Sequence, residues 1–154
     1  MPQIDVQEIF LESASEVLET MFFTGIVDED TVEDAASLTC AELTFHGSPS
    51  GRFGVRVPAK TARSIAASFL GLEVTEVNER QVADVLCELT NMFCGSVLSR
   101  VEAGARFELM HPEIDPTNSD WRRFPNVFGC TLGIEEGTVT LWMTMDEQQP
   151  AMVA

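Results

Sequence analysis

Apolar positions along this chain recur in two different periods, and the switches between them outline a fold. From residue 4 to 23, "IDVQEIFLESASEVLETMFF", the residues Ile9, Phe10, Val17, Leu18, Met21 and Phe22 fall at helical spacing. That spacing predicts a first helix, with Gly25 able to end it. The next stretch, "DEDTVEDAA", is acidic and poor in bulky side chains, and reads as a solvated loop. The runs "SLTCAELTFHG" and "GRFGVRVPA" are strand-like, and "GSPSG" between them suits a hairpin. "AKTARSIAASFLGL" returns to the helical period, with Ile65, Phe69 and Leu70 apolar and Gly71 as a stop. "NERQVADVLCELTNMFCGSVLSRVE" is a longer third helix, with Asn78 as its N-cap and Gly104 beyond its end. "ARFELMHPEI" is a strand that breaks at Pro112, and "PEIDPTNSDWRRFPN" is an irregular loop. "VFGCTLGI" and "TVTLWMTM", joined by "EEG", form a closing hairpin, and the tail from about 147 to 154 is expected to fray. Helix, hairpin, two helices, strand, loop, hairpin is not a regular strand–helix alternation. It predicts one α+β domain over residues 1–154, three helices with a largely antiparallel sheet.

The third helix carries the unusual pattern. Asp84, Glu88, Asn91 and Gly95 are spaced i, i+4, i+7 and i+11, so they share a band only about 60° wide. Val82, Val85, Leu86, Cys87, Leu89, Met92, Phe93, Cys94 and Val97 fill most of the remaining circumference, which predicts burial on nearly every other side. Within the band, Asp84 and Glu88 are like charges one turn apart, a mildly destabilising pair. No base lies three or four residues from Glu88 on either side. Asn91 is a mediocre helix former, and Gly95 costs about 1 kcal/mol against alanine. Two readings stand: a narrow solvated face with a close-packing glycine, or a polar pair directed at something outside the domain. For the second, a carboxylate beside a carboxamide suits water attack on a phosphoryl group. The amide can hold a water through its carbonyl and meet an anionic oxygen through its N–H, where a further carboxylate would repel the transition state.

"DVLCELTN", Asp84 to Asn91, resembles the helix motif of the CheC/CheX/FliY family of bacterial chemotaxis phosphatases: Asp or Ser, then Glu four later, then Asn three later, with Gly95 extending the match. The order of elements is similar to the single-motif CheX-like branch, which implies a CheC-like fold. The resemblance implies that Asn91 places the attacking water against an aspartyl phosphate on a CheY-like response regulator, and that Glu88 pairs with the regulator's lysine. It implies that Asp84 supports the helix surface. It also implies that the regulator brings the Mg2+, leaving no cofactor or metal in this chain, and that two copies pair through their sheets as a homodimer. "TVTLWMTM" could supply the edge, or could simply alternate within a monomer's sheet. The first helix carries a partial echo, "SEVLETMF": Ser15 and Glu19 match the spacing, but Phe22 stands where the asparagine would be, so this helix should be inactive. The family's proline about two dozen residues after the motif has no clean counterpart, Pro112 and Pro116 being the nearest.

Composition narrows the choice. Hydrophobic residues at 45% and charged residues at 22% suit a globular domain. A net charge of -16 disfavours nucleic acid and anionic membranes as partners. No apolar run reaches the roughly 18 residues of a membrane span, and the N-terminus lacks the pattern of a secretory signal, so a cytoplasmic protein is expected. Cys40, Cys87, Cys94 and Cys130 include no C-x-x-C, and Cys87 and Cys94 read as two small core residues. Trp121, Arg122 and Arg123 could touch a partner, or the arginines could neutralise nearby acids; His111 reads as a strand-end residue. The charge also bears on docking: response-regulator sites are acidic, so the docking face must be less negative than the whole. The main expectation is thus a CheX-like phosphatase, with a non-catalytic adaptor for a two-component signalling partner as the alternative.

Overall fold

A computed structural model describes residues 5–34, 37–102, 104–114 and 121–146. The tail 147–154 and Pro116 lie outside them. The elements in chain order are α1 (Val6–Met21), β1 (Ile26–Asp28), β2 (Leu38–His46), β3 (Gly51–Pro58), α2 (Ala59–Leu70), α3 (Glu79–Val101), β4 (Glu108–Leu109), β5 (Glu113–Ile114), β6 (Val127–Ile134) and β7 (Gly137–Met145). The strands form one antiparallel sheet of seven in the order β1-β6-β7-β3-β2-β4, with β5 also on β2. This is the α+β architecture that the alternation of periods predicts.

The helices lie on one face of the sheet. Alternation along the strands sends Ala41, Leu43 and Phe45 of β2, Phe53, Val55 and Val57 of β3, Leu132 and Ile134 of β6, and Val139, Leu141 and Met143 of β7 into a common core with Phe10, Leu18, Ile65, Leu89 and Phe93. Local chemistry starts the helices where the sequence suggests. Asp5 accepts from the Glu8 N–H at 3.2 Å to cap α1, and Asn78 and Gln81 form a reciprocal capping box at the start of α3. Gly71, at φ 69°, ends α2. The end of α1 differs from expectation. It stops before Gly25, with Phe23 in the left-handed region (φ 57°) and the Thr24 N–H returning to the Leu18 carbonyl.

Two loops bring single buried side chains onto the opposite face of the sheet. The acidic stretch after α1 is not simply solvated. Asp28 pairs with Gly133, the Thr31 N–H donates to the Thr131 carbonyl, and Glu33 lies 3.2 Å from Arg56 with both side chains only 9% exposed. Trp121 in the later loop is buried, so it is no exposed anchor for a partner. It covers Gly129, where an added Cβ would come within 2.5 Å of the indole, and the Arg122 guanidinium stacks on its outer side at 4.6 Å. Trp142 lies over Gly54 in the same way. The closing strand β7 is likewise no edge: it runs between β3 and β6 and is hydrogen-bonded on both sides. The sheet's margins are β1 at one end and β4 with β5 at the other.

By length and composition α3 could cross a membrane. Its apolar residues are instead core, with Val82, Val85, Leu86, Leu89, Phe93, Cys94, Val97 and Leu98 buried. It is joined to α1 by Arg100, which pairs with Glu16 and lies 3.6 Å from Glu12.

Candidate functional site

With α3 sunk into the core, its remaining face is narrow. Asp84, Glu88 and Asn91 are exposed along it and Gly95 is half-buried, while Phe93, about half a turn away, is 0% exposed. Asp84, Glu88 and Asn91 make no side-chain hydrogen bond or ion pair with a described residue. The four residues of the band are therefore brought together as predicted, and the polar three are directed outward.

Gly95 decides between the two readings of its presence. A Cβ built there meets nothing within 4 Å among the described residues, so close packing against them does not require the glycine. It is a mid-helix glycine beside open space, in line with Glu88 and Asn91. Replacing it by alanine should stabilise the fold by about 1 kcal/mol, since the helical entropy cost falls and nothing clashes. A raised urea midpoint would show this; a lowered one would mean that the space is occupied.

A second wall faces the band, and the sequence reading missed it. β4 and β5 are two parts of one edge strand on β2, with Leu109 opposite Phe45 and Glu113 opposite Glu42. Between these pairs, the three residues Met110, His111 and Pro112 stand against only two, Leu43 and Thr44. The extra residue makes a β-bulge. Proline has no N–H to give a ladder and is tolerated at such an edge. The bulge turns the chain toward α3, and a cleft of 260 Å³ forms, lined by Asp84, Cys87, Glu88, Asn91, His111 and Pro112. Pro112 is itself buried, and its carbonyl accepts from the Cys87 thiol at 3.6 Å. Cys87 is therefore only half-buried and sits at the base of the cleft, whereas Cys94 is a true core residue. Burial, followed by the nearby Asp84 and Glu113 carboxylates, raises the Cys87 pKa, which keeps the thiol protonated and able to donate. Burial pushes Cys130 up to about 12 and Cys94 higher still, as inert interior thiols require. The one sequence cue to the second wall was a proline interrupting a strand-like run.

The echo on α1 offers no comparable site. Ser15 is half-buried and Glu19 exposed, but Phe22 is buried and stacks on Phe69 with ring centroids 5.0 Å apart.

The family model described as chemotaxis phosphatase CheX matches residues 39–118, more than half of the chain. The chain belongs to the CheX family. The matched segment runs from β2 through β5 and contains every residue that lines the cleft. No curated protein matches the sequence. Among solved structures, CheX from Vibrio vulnificus is similar with a TM-score of 0.74 at 18% identity, 95% of this chain and 99% of that one being covered. CheX from Borrelia burgdorferi, in a complex with CheY, BeF3 and Mg2+, gives 0.71 at 18% identity, with 94% and 100% covered. FliY from Thermotoga maritima gives 0.59 at 16% identity, with 96% and 93% covered. At these identities the likeness is one of fold, and it extends over nearly the whole CheX domain.

Proposed function

We propose that this chain hydrolyses the aspartyl phosphate of a CheY-like response regulator, with Asn91 and Glu88 as the residues that act. The observation that carries the proposal is the exposure of both side chains on one face, without partners among the described residues, on a helix otherwise buried. A carboxamide already free of internal hydrogen bonds has none to break when a partner docks, so its orientation costs little.

In the proposed reaction the Asn91 carbonyl accepts a hydrogen bond from the attacking water, and its N–H meets a phosphoryl oxygen. Water adds to phosphorus in line as the bond to the aspartyl oxygen breaks, giving inorganic phosphate and the regulator's free carboxylate. Glu88, unpaired among the described residues, forms an ion pair with the regulator's lysine and so fixes Asn91 in line. The Mg2+ that neutralises phosphoryl charge comes with the regulator. Gly95 leaves room for the docking protein. A homodimer is part of the same proposal. Its pairing edge would be β1 or the β4–β5 margin, because β7 has both sides occupied.

The test is phosphate release from a phosphorylated CheY-like regulator. The wild type should accelerate release, and Glu88→Ala should weaken it mainly by raising KM, as loss of a docking pair does. A wild type that binds the regulator without accelerating release would establish the adaptor in place of the phosphatase.

A further inference from the structure

The cleft presents an electrostatic difficulty. Two of its six lining residues, Asp84 and Glu88, are carboxylates, and the chain as a whole carries -16. A phosphoryl group brought to Asn91 would meet repulsion from both. Glu88 is offset in the proposed complex by the regulator's lysine; Asp84 has no such partner. Arg80, one turn before Asp84, is exposed but does not line the cleft. The one lining side chain that can become a cation is His111.

The position of His111 follows from the bulge. An uninterrupted edge strand would alternate its side chains between the two faces of the sheet; the extra residue between Leu109 and Glu113 breaks that alternation beside α3. Pro112 is buried on one side of the histidine, and its carbonyl is tied to Cys87 of α3. His111 is exposed, at the rim of the same cleft as Asn91.

We infer that His111 is a second phosphoryl-binding residue of this site, its imidazolium donating to a phosphoryl oxygen of the docked regulator opposite the amide of Asn91. The inference rests on the phosphatase reading and adds to it a contact from outside the motif helix. An imidazole changes charge between about pH 5 and 8, so the contact makes recognition of the phosphorylated regulator pH-dependent. The charged and titratable groups around His111 are Asp84, Cys87 and Glu88 on α3, Glu108 on β4 and Glu113 on β5, with His46 and Glu42 of β2 paired to Glu108 and Glu113; the β2 residues opposite the bulge itself, Leu43 and Thr44, carry no charge.

The experiment measures binding of a beryllofluoride-activated CheY-like regulator, a phosphoryl mimic, at pH 6 and pH 8. Wild type should bind about five-fold more weakly at pH 8 than at pH 6, since an imidazole is a cationic donor only in its protonated form. His111→Gln should bind weakly at both values, and His111→Arg tightly at both. The ratio of variant to wild type at each pH removes the regulator's own titration. With the unactivated regulator the difference between wild type and His111→Gln should vanish. If His111→Gln keeps the full pH dependence, or the difference persists without the phosphoryl mimic, the inference is overturned. Wild type that releases phosphate normally but binds without pH dependence would overturn the role of His111 and leave that of Asn91 standing. Wild type that releases none would instead overturn the reading on which this one rests.

Discussion

Asn91→Ala should abolish most phosphatase activity while leaving both the fold and the docking of the regulator intact. The expected loss is about 10²- to 10³-fold in turnover, the scale for removing one preorganised hydrogen-bonding group at a reacting centre. The side chain is exposed and makes no hydrogen bond to a described residue, so its removal should change stability by no more than about 0.5 kcal/mol. Asn91→Asp is the sharper variant. It keeps size and shape but replaces the N–H donor by a charged oxygen beside the phosphoryl group, and it should be as inactive as alanine. Single-turnover phosphate release at saturating protein separates this loss from weakened docking. An alanine variant that matches the wild type in that measurement would remove Asn91 from the mechanism.

Phe93→Ala should produce the largest loss of stability, and it tests the same helix from its other side. Phe93 is 0% exposed and lies about half a turn from Asp84. Its ring is part of the core shared by the helices and the sheet. Truncating a buried phenylalanine costs about 3–5 kcal/mol, against a total of about 5–15 kcal/mol for a domain. The melting temperature should fall by about 10 °C or more. Catalysis should survive in whatever fraction remains folded, because Glu88 and Asn91 sit on the opposite face and touch none of the lost volume. A Phe93→Ala protein that melts like the wild type would mean that α3 is not packed as described. One that stays fully folded yet inactive would mean that the two faces of the helix are coupled.

Much of the fold is legible along the chain because helices and strands declare themselves in local periodicity and caps. Asn78 with Gln81 starts α3, Gly71 closes α2, and the apolar stripe of α3 anticipates its burial. The acidic stretch after α1 is a mostly exposed loop, as its composition predicts, but one of its carboxylates is not solvated, because a charged side chain looks solvated until its partner is known. Glu33 is buried against Arg56, which stands 23 residues further along the chain. For "TVTLWMTM" the sequence left edge and interior open, because strand propensity says nothing about how many neighbours a strand acquires; the structure makes it interior. The burial of Trp121 could not be read from its own loop, because the glycine it covers, Gly129, belongs to another element.

The same division holds at the site. By itself the sequence determined the motif helix, the narrow polar band of Asp84, Glu88, Asn91 and Gly95, and the absence of the matching amide on α1, where Phe22 takes its place. These are local facts, set by a rotation of about 100° per residue. Only the tertiary structure decided that the band faces a cleft, that His111 and Pro112 form its other wall, and that the space above Gly95 is open. Those facts depend on β4 and β5 returning to the margin of β2 with one residue too many, and the cost of that bulge is met by contacts between segments far apart in the chain, which no local pattern records.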